Sequence, residues 1–200
     1  MNTEIKTIFH ALLFDGFDEM DFFGIFEALR MARFTVETRS FQKQDFVTAA
    51  HGTKVITDGT FSLHEKPDVL LVPGGGWLAR SEKGAWAEVQ NGHILGAVQE
   101  CHAAGITLAS VCTGSLILAH AGLLKDRHAT TNRSAVQELI DLGAKYVAAR
   151  VVDDGDIVTA SGITASLDLG LWLVERYASQ EAALAVSSGL EFERRGIVFK

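Results

Sequence analysis

The amino-acid sequence predicts an α/β domain built on a mainly parallel sheet, and three features lead there. Apolar runs of strand length alternate with segments of helical period. Two of those runs, Asp68 to Val72 and Ile106 to Val111, end on small residues or glycines at their carboxyl ends. Nineteen glycines against two prolines then imply short turns and no proline-rich linker.

Taken in order, the first strand is expected over Ile5 to Phe14. Met20 to Arg33 carries Phe22, Ile25, Phe26 and Leu29 at helical spacing, so one face of this helix packs on that strand. Residues 34–39 (FTVETR) alternate as a second strand, and FVTAA, TKVITDG and TFSL read as edge strands or a small excursion. DVLLVPGGG is a buried strand running into glycines, Gly92 to Ala104 is helical, and the apolar strand Ile106 to Val111 passes at once into a helix over Thr113 to Leu124. Asn132 to Leu142 reads as a helix stopped by Gly143. Val147 to Val152 and Ile157 to Ala160 pair as a hairpin, and two helices, Thr164 to Tyr177 and Gln180 to Leu190, close the chain. No repeat or linker interrupts the pattern, which implies a single domain over residues 1–200.

A chain of 200 residues buries roughly 70% of its unfolded surface and needs no disulfide staples. The two cysteines, Cys101 and Cys112, are too few for a framework and fit a reducing compartment. Eighteen basic against twenty-five acidic side chains leave a net charge of −7, which argues against a surface made for phosphate backbones or anionic lipid, so neither nucleic acid nor membrane is an expected partner. The start, MNTEIKTIFHALLFDGF, lacks the marks of a secretory signal, and no apolar run approaches the ~18 residues of a span. A cytoplasmic protein acting on a small molecule is expected.

The segment ITLASVCTGSLILA is the most informative. A tight strand-to-helix turn crowds its neighbours, so a nucleophile elbow wants small residues two before and two after the nucleophile. Ser110 and Gly114 stand at those places around Cys112. The turn would set its sulfur at the carboxyl edge of the sheet and at a helix N-terminus, whose dipole and N–H groups favour a thiolate. The competing reading is a small buried thiol, and that is the reading for Cys101, which shares a helix face with Ile94, Val98 and Gly105.

Pro73-Gly74-Gly75-Gly76-Trp77 follows a strand, and its backbone N–H groups can face a developing negative charge. It matches neither phosphate-loop nor dinucleotide patterns. Asp21 lies in a first helical turn beside Gly24, Ile25 and Ala28, where burial would raise its pKa and make it a proton donor to a nearby thiolate. Glu27 belongs to the solvated side. Seven histidines show no metal-ligand spacing, and Thr113 rather than histidine follows Cys112, so no metal is expected.

DFFGIFEAL, VLLVPGGG, ITLASVCTGSLILAHAGLL, ATTN, GITASLDLGLWLVERY and LEFERR together resemble the ThiJ/PfpI superfamily of class I glutamine amidotransferase-like folds, in the branch that includes isonitrile hydratase. The resemblance spans nearly the whole chain. It implies a flavodoxin-like three-layer sandwich with helices on both faces of the sheet, a homodimer, an elbow cysteine at Cys112, an acid partner at Asp21 and a following threonine at Thr113. It matches the oxyanion-facing amides to the Gly74–Gly75 turn and Thr113. Ile25 stands where the branch commonly has proline, and Asn132 where it often reads histidine, which bears on the substrate. The implied reaction is cofactor-free hydration of an isonitrile to an N-substituted formamide, with the Cys112 thiolate attacking the terminal carbon and Asp21 shuttling the proton. Trp77, Asn132 and the turn Ser161 to Thr164 are the expected pocket residues. Two alternatives are a cysteine redox sensor and a glyoxalase- or deglycase-like enzyme. A regulator's ligand-sensing half is a third, less expected because the residues up to Lys200 leave no room for a helix-turn-helix module.

Overall fold

A computed structural model describes residues 7–200. Its strands are β1 (Ile8–Leu12), β2 (Thr35–Ser40), β3 (Val47–Thr48), β4 (Lys54–Val55), β5 (Gly59–Thr60), β6 (Val69–Val72), β7 (Thr107–Val111), β8 (His128–Ala129), β9 (Lys145–Tyr146), β10 (Val151–Asp153) and β11 (Ile157–Ala160). The helices are α1 (Glu19–Met31), α2 (Ala85–Asn91), α3 (His93–Ala103), α4 (Gly114–His120), α5 (Val136–Asp141), α6 (Ala165–Tyr177) and α7 (Gln180–Gly189). Residues 5 and 6 of the expected first strand lie outside the described residues.

Seven strands form the main sheet in the order β10-β11-β7-β6-β1-β2-β5, parallel throughout except for the β10–β11 hairpin. β6 and β7 are buried along nearly their whole length, which is why they read as continuous apolar runs rather than alternating ones. Helices α1, α6 and α7 pack together, and α2, α3 and α4 form a second group. The result is the three-layer sandwich expected, with the core between sheet and helices. Gly24 and Gly170 let α1 and α6 approach closely, because a Cβ at Gly170 would stand 2.8 Å from the Ala28 methyl.

Several elements differ from the sequence reading. Helix α2 is an addition to the expected elements; Gly84 and Gly92, both at positive φ, cut it out of a stretch whose polar and apolar residues show no helical stripe. The expected helix over 132–142 begins as a 3₁₀ turn, Arg133–Ala135, because the Asn132 side chain accepts the Ser134 N–H and tightens the entry. Residues 147–150 stay outside the hairpin, and Val47–Thr48 and Lys54–Val55 pair as a small antiparallel excursion. The parallel pair β8–β9 has two residues per strand, too few for any periodicity to announce it.

β1 pairs with β2 on one side and β6 on the other, so the chain reverses its direction of travel across the sheet at the β1–β6 boundary. Loops leaving β1 and β6 there diverge and open a crevice at the carboxyl ends of the strands. Phe14 to Asp18, Pro73 to Gly76 and Cys112 meet at this edge.

Candidate active site

Cys112 joins β7 to α4 with φ +55°, a left-handed conformation that a side-chain-bearing residue adopts only where its surroundings over-determine it. They do so here. The Cys112 N–H is placed against the carbonyls of Ala160 and Ser161 at 3.0 and 3.1 Å, and its carbonyl accepts the hydroxyls of Ser115 and Thr131, both at 3.0 Å. The side chain is 6% exposed, at the floor of a pocket of about 250 Å³ formed also by Asp18, Gly75, Gly76, Trp77, Leu78, Ala79, Thr113, Asn132 and Ser134.

Asp21 reaches this floor from α1. It is fully buried, and the Gly74 N–H donates to its Oδ2 at 2.9 Å. Oδ1 is buried with no partner of regular geometry, while the carboxyl interacts with the Cys112 thiol. Burial, followed by the nearby Asp18 charge, pushes the Asp21 pKa well above the usual carboxylate range; the bonds from Gly74 and Cys112 oppose this without cancelling it. Oδ2 accepts the Gly74 N–H, which leaves Oδ1 as the oxygen with no hydrogen-bond partner.

The thiol departs from expectation. Burial first, and the Asp21 charge second, push the Cys112 pKa up to about 12, against the smaller opposite effects of the Ile163 N–H, the Asn132 amide and the Thr113 N–H. Desolvation outweighs the helix N-terminus, whose helix is only seven residues long. Both shifts favour the protonated forms, a carboxylic acid beside a thiol, over a free thiolate. The Asp21 contribution vanishes whenever the carboxyl is protonated, so a thiolate is least unfavourable in that state.

Asn132 donates from Nδ2 to the Cys112 sulfur at 3.3 Å. Its orientation follows from Oδ1, which accepts both the N–H and the hydroxyl of Ser134 at 3.1 and 2.7 Å. Gly162 makes room for it, because a Cβ there would lie 2.6 Å from Nδ2. Gly162 and Ile163 belong to the turn expected to shape the pocket, whereas Ser134 has no place in the sequence reading. The Asn132-x-Ser134 spacing, a side-chain turn motif, is the signal that could have found Ser134.

The glycine turn holds the site together and does not present open donors. The Gly74 N–H serves Asp21 and the Gly75 N–H is taken by Thr113 Oγ1 at 3.1 Å, so neither amide expected to face an oxyanion is free. Gly75 adopts φ +127°, and a Cβ there would overlap the Gly16 carbonyl. The Thr113 N–H and Oγ1 are thus split between sulfur and turn. Trp77 lines the pocket but is 2% exposed, with its indole N–H bonded to Glu138 at 2.8 Å and its ring edge-on to Trp86. It is a wall of the pocket more than a contact surface. Ser161 to Thr164 line a neighbouring cavity. Cys101 is 1% exposed on α3, with a pKa raised by burial to about 11.

Among the described residues, one His/Asp/Glu group has metal-ligand spacing: His10, Glu37 and Glu65. The Arg39 guanidinium bonds both glutamates, so their oxygens are already engaged by a cation and the set does not suit a metal ion.

A model of the DJ-1/PfpI family matches residues 9–176. The chain is 35% identical over 146 residues to an isonitrile hydratase of Pseudomonas putida, covering 73% of this chain and 61% of that protein. It is 30% identical over 186 residues to the HTH-type transcriptional regulator CdhR of Pseudomonas aeruginosa, covering 90% of this chain and 53% of that one. It thus spans less than two thirds of the length of these two curated relatives. A deglycase of Pyrococcus horikoshii is 28% identical over 173 residues, covering 86% of this chain and 96% of its own. Among solved structures, a ThiJ/PfpI family protein from Pseudomonas syringae superposes with a TM-score of 0.83 at 30% identity, covering 96% of this chain and 77% of that one. Drosophila melanogaster DJ-1beta shares the fold with a TM-score of 0.82 at 22% identity, over 94% of this chain and 99% of its own. With an elbow cysteine, a facing buried acid and a family match over residues 9–176, this chain belongs to the DJ-1/PfpI family.

Proposed function

We propose that the protein hydrates isonitriles to N-substituted formamides, with Cys112 as nucleophile and Asp21 as acid and base. The observation that carries this reading is the Asp21–Cys112 pair: a fully buried carboxyl, its pKa raised well above the carboxylate range, next to a thiol with a raised pKa. The likeness to an isonitrile hydratase supports it. The terminal carbon of an isonitrile needs a proton and a nucleophile together, and a neutral acid beside a thiol offers both.

In the first step Asp21 gives its proton to the terminal carbon as the Cys112 sulfur adds to it. The S–H proton passes to the vacated carboxylate, leaving a thioimidate and a neutral Asp21. In the second, Asp21 protonates the imine nitrogen while water adds to the carbon and returns a proton to the carboxylate. Collapse of that adduct forms the formyl C=O and expels sulfur, which takes the hydroxyl proton. The sum is one isonitrile plus one water giving one formamide. Asn132 and the N–H groups of Ile163 and Thr113 face the sulfur and stabilise it when it leaves. Asp18 is the one charged residue among those lining the 250 Å³ pocket, which suits a small neutral reacting group.

A sensor that oxidises at Cys112 needs an accessible thiolate, and the buried, high-pKa thiol disfavours it. The family resemblance adds the expectation of a homodimer, which light scattering would read. The activity is tested by incubating the protein with several alkyl and aryl isonitriles and following the formyl proton by NMR. Formamide should appear catalytically, and no turnover of any of them would sink the reading.

A further inference from the structure

Asn132 also borders a second and larger cavity, of about 690 Å³. Asn132 lines both it and the cysteine pocket, and Ile163, whose N–H faces the sulfur, lines it too. Its charged lining residues are Arg133, Arg150 and Arg195, and no carboxylate lines it. In a chain of net charge −7 this is a local reversal of sign. Among the described residues, neither Arg133 nor Arg195 makes a side-chain ion pair, and both are exposed.

The arrangement is built rather than incidental. Asp168, 1% exposed on α6, binds Arg150 through Nε at 2.7 Å and Nη2 at 2.6 Å, and accepts the Arg195 N–H at 2.8 Å on its other oxygen. Thr164 Oγ1 takes a further bond from Arg150 at 3.2 Å. One buried carboxylate thus anchors two arginine-bearing segments, while its own charge is spent on Arg150. Arg133 and Arg195, with no side-chain ion pair among the described residues, line the same cavity as Ser161 and Thr164. Guanidinium groups of this kind recognise carboxylate and phosphate oxygens.

We propose that this cavity binds an anionic group, a carboxylate or phosphate, and, resting on the reading of Cys112 as nucleophile, that the group is the tail of the substrate. The electrostatics then divide at Asn132: a neutral reacting end toward Cys112, an anionic end toward the arginines. The substrate class is accordingly an isonitrile bearing a carboxylate or phosphate on a short chain.

Two arms test this. In the first, calorimetry with succinate, inorganic phosphate and neutral succinamide reads binding without any turnover, on the intact protein and on the double variant R133A/R195A, whose sites are exposed. Binding of succinate, of phosphate or of both, with succinamide silent and with at least about a tenfold loss of affinity in the variant, supports the cavity; which of the two binds identifies the anion. Absence of binding up to about 10 mM, or binding that the variant leaves unchanged, overturns it. In the second arm, 4-isocyanobutanoate is compared with its methyl ester. A KM lower for the acid by about tenfold, with that preference lost in R133A/R195A, supports the tail assignment, and equal KM values overturn it. If neither isonitrile is hydrated, the proposed reaction fails, while the calorimetry still decides the cavity.

Discussion

Cys101 and Cys112 are alike in burial and unlike in everything that makes chemistry. Each is close to fully buried, at 1% and 6% exposure, and each has its pKa pushed up by desolvation, to about 11 and about 12. Cys101 sits in regular helix on the buried face of α3, among Ile94, Ala97 and Val98. Cys112 sits at positive φ, with a buried carboxyl, an oriented amide and two backbone N–H groups turned toward its sulfur. Neither burial nor pKa separates a structural thiol from a candidate nucleophile. What separates them is the polar set that low-dielectric surroundings make strong, together with a strained backbone that has to be held by its neighbours.

The contrast can be broken most severely at Cys112 itself. Cys112→Ser should lower isonitrile turnover by at least about 10⁴-fold, as loss of a nucleophile does, while Cys101→Ala should leave kcat unchanged. Equal effects of the two substitutions in a steady-state assay would erase the distinction. Next comes Asp21→Asn, expected to cost about 10²–10⁴-fold in kcat. Its stability should move the other way. The folded-state pKa of Asp21 is raised, so the stabilisation from its proton is complete below the unfolded pKa and disappears as pH rises through the folded one. Asparagine keeps an acceptor for the Gly74 N–H and cannot ionise, so at pH above the folded pKa the variant should melt at or above the wild-type temperature by calorimetry.

Asn132→Ala should have a smaller effect, about 10- to 100-fold in kcat, since one of three donors to the sulfur is removed. Alkylation of Cys112 by iodoacetamide should slow only if the amide helps the thiolate more than its bulk shields it, so kcat is the sharper readout. Least is expected from Cys101→Ala in stability, about 1 kcal/mol by chemical denaturation, for a small side chain removed from a packed face.

The sheet and the cysteine were legible because they depend on short-range patterns. Buried parallel strands announce themselves as Val-Leu-Leu-Val, and an elbow as Ser110, Cys112 and Gly114. Asp21 was legible because an acid among Gly24, Ile25 and Ala28 violates the polarity of its own helix face. The partners that orient the site were not. The Gly74 N–H meets Asp21 across 53 positions, and the approach of Gly162 to Asn132 spans 30. Such contacts depend on how loops from separate strands converge, and no local spacing encodes that. The same blindness explains the reversed expectation for the thiol: helix N-termini are visible in a sequence, whereas the desolvation that outweighs this one is a property of the assembled floor.

The central claim is that Cys112 works from a thiol paired with a neutral Asp21. The pH dependence of kcat/KM with a neutral alkyl isonitrile tests it most directly, because kcat/KM reports the free enzyme's essential groups. The pairing predicts a rate that falls as pH rises through the Asp21 pKa, which burial holds well above the ordinary carboxylate range. A rate that instead climbs steadily with pH toward the thiol's own ionisation would mean that a free thiolate attacks unaided, and would contradict the account.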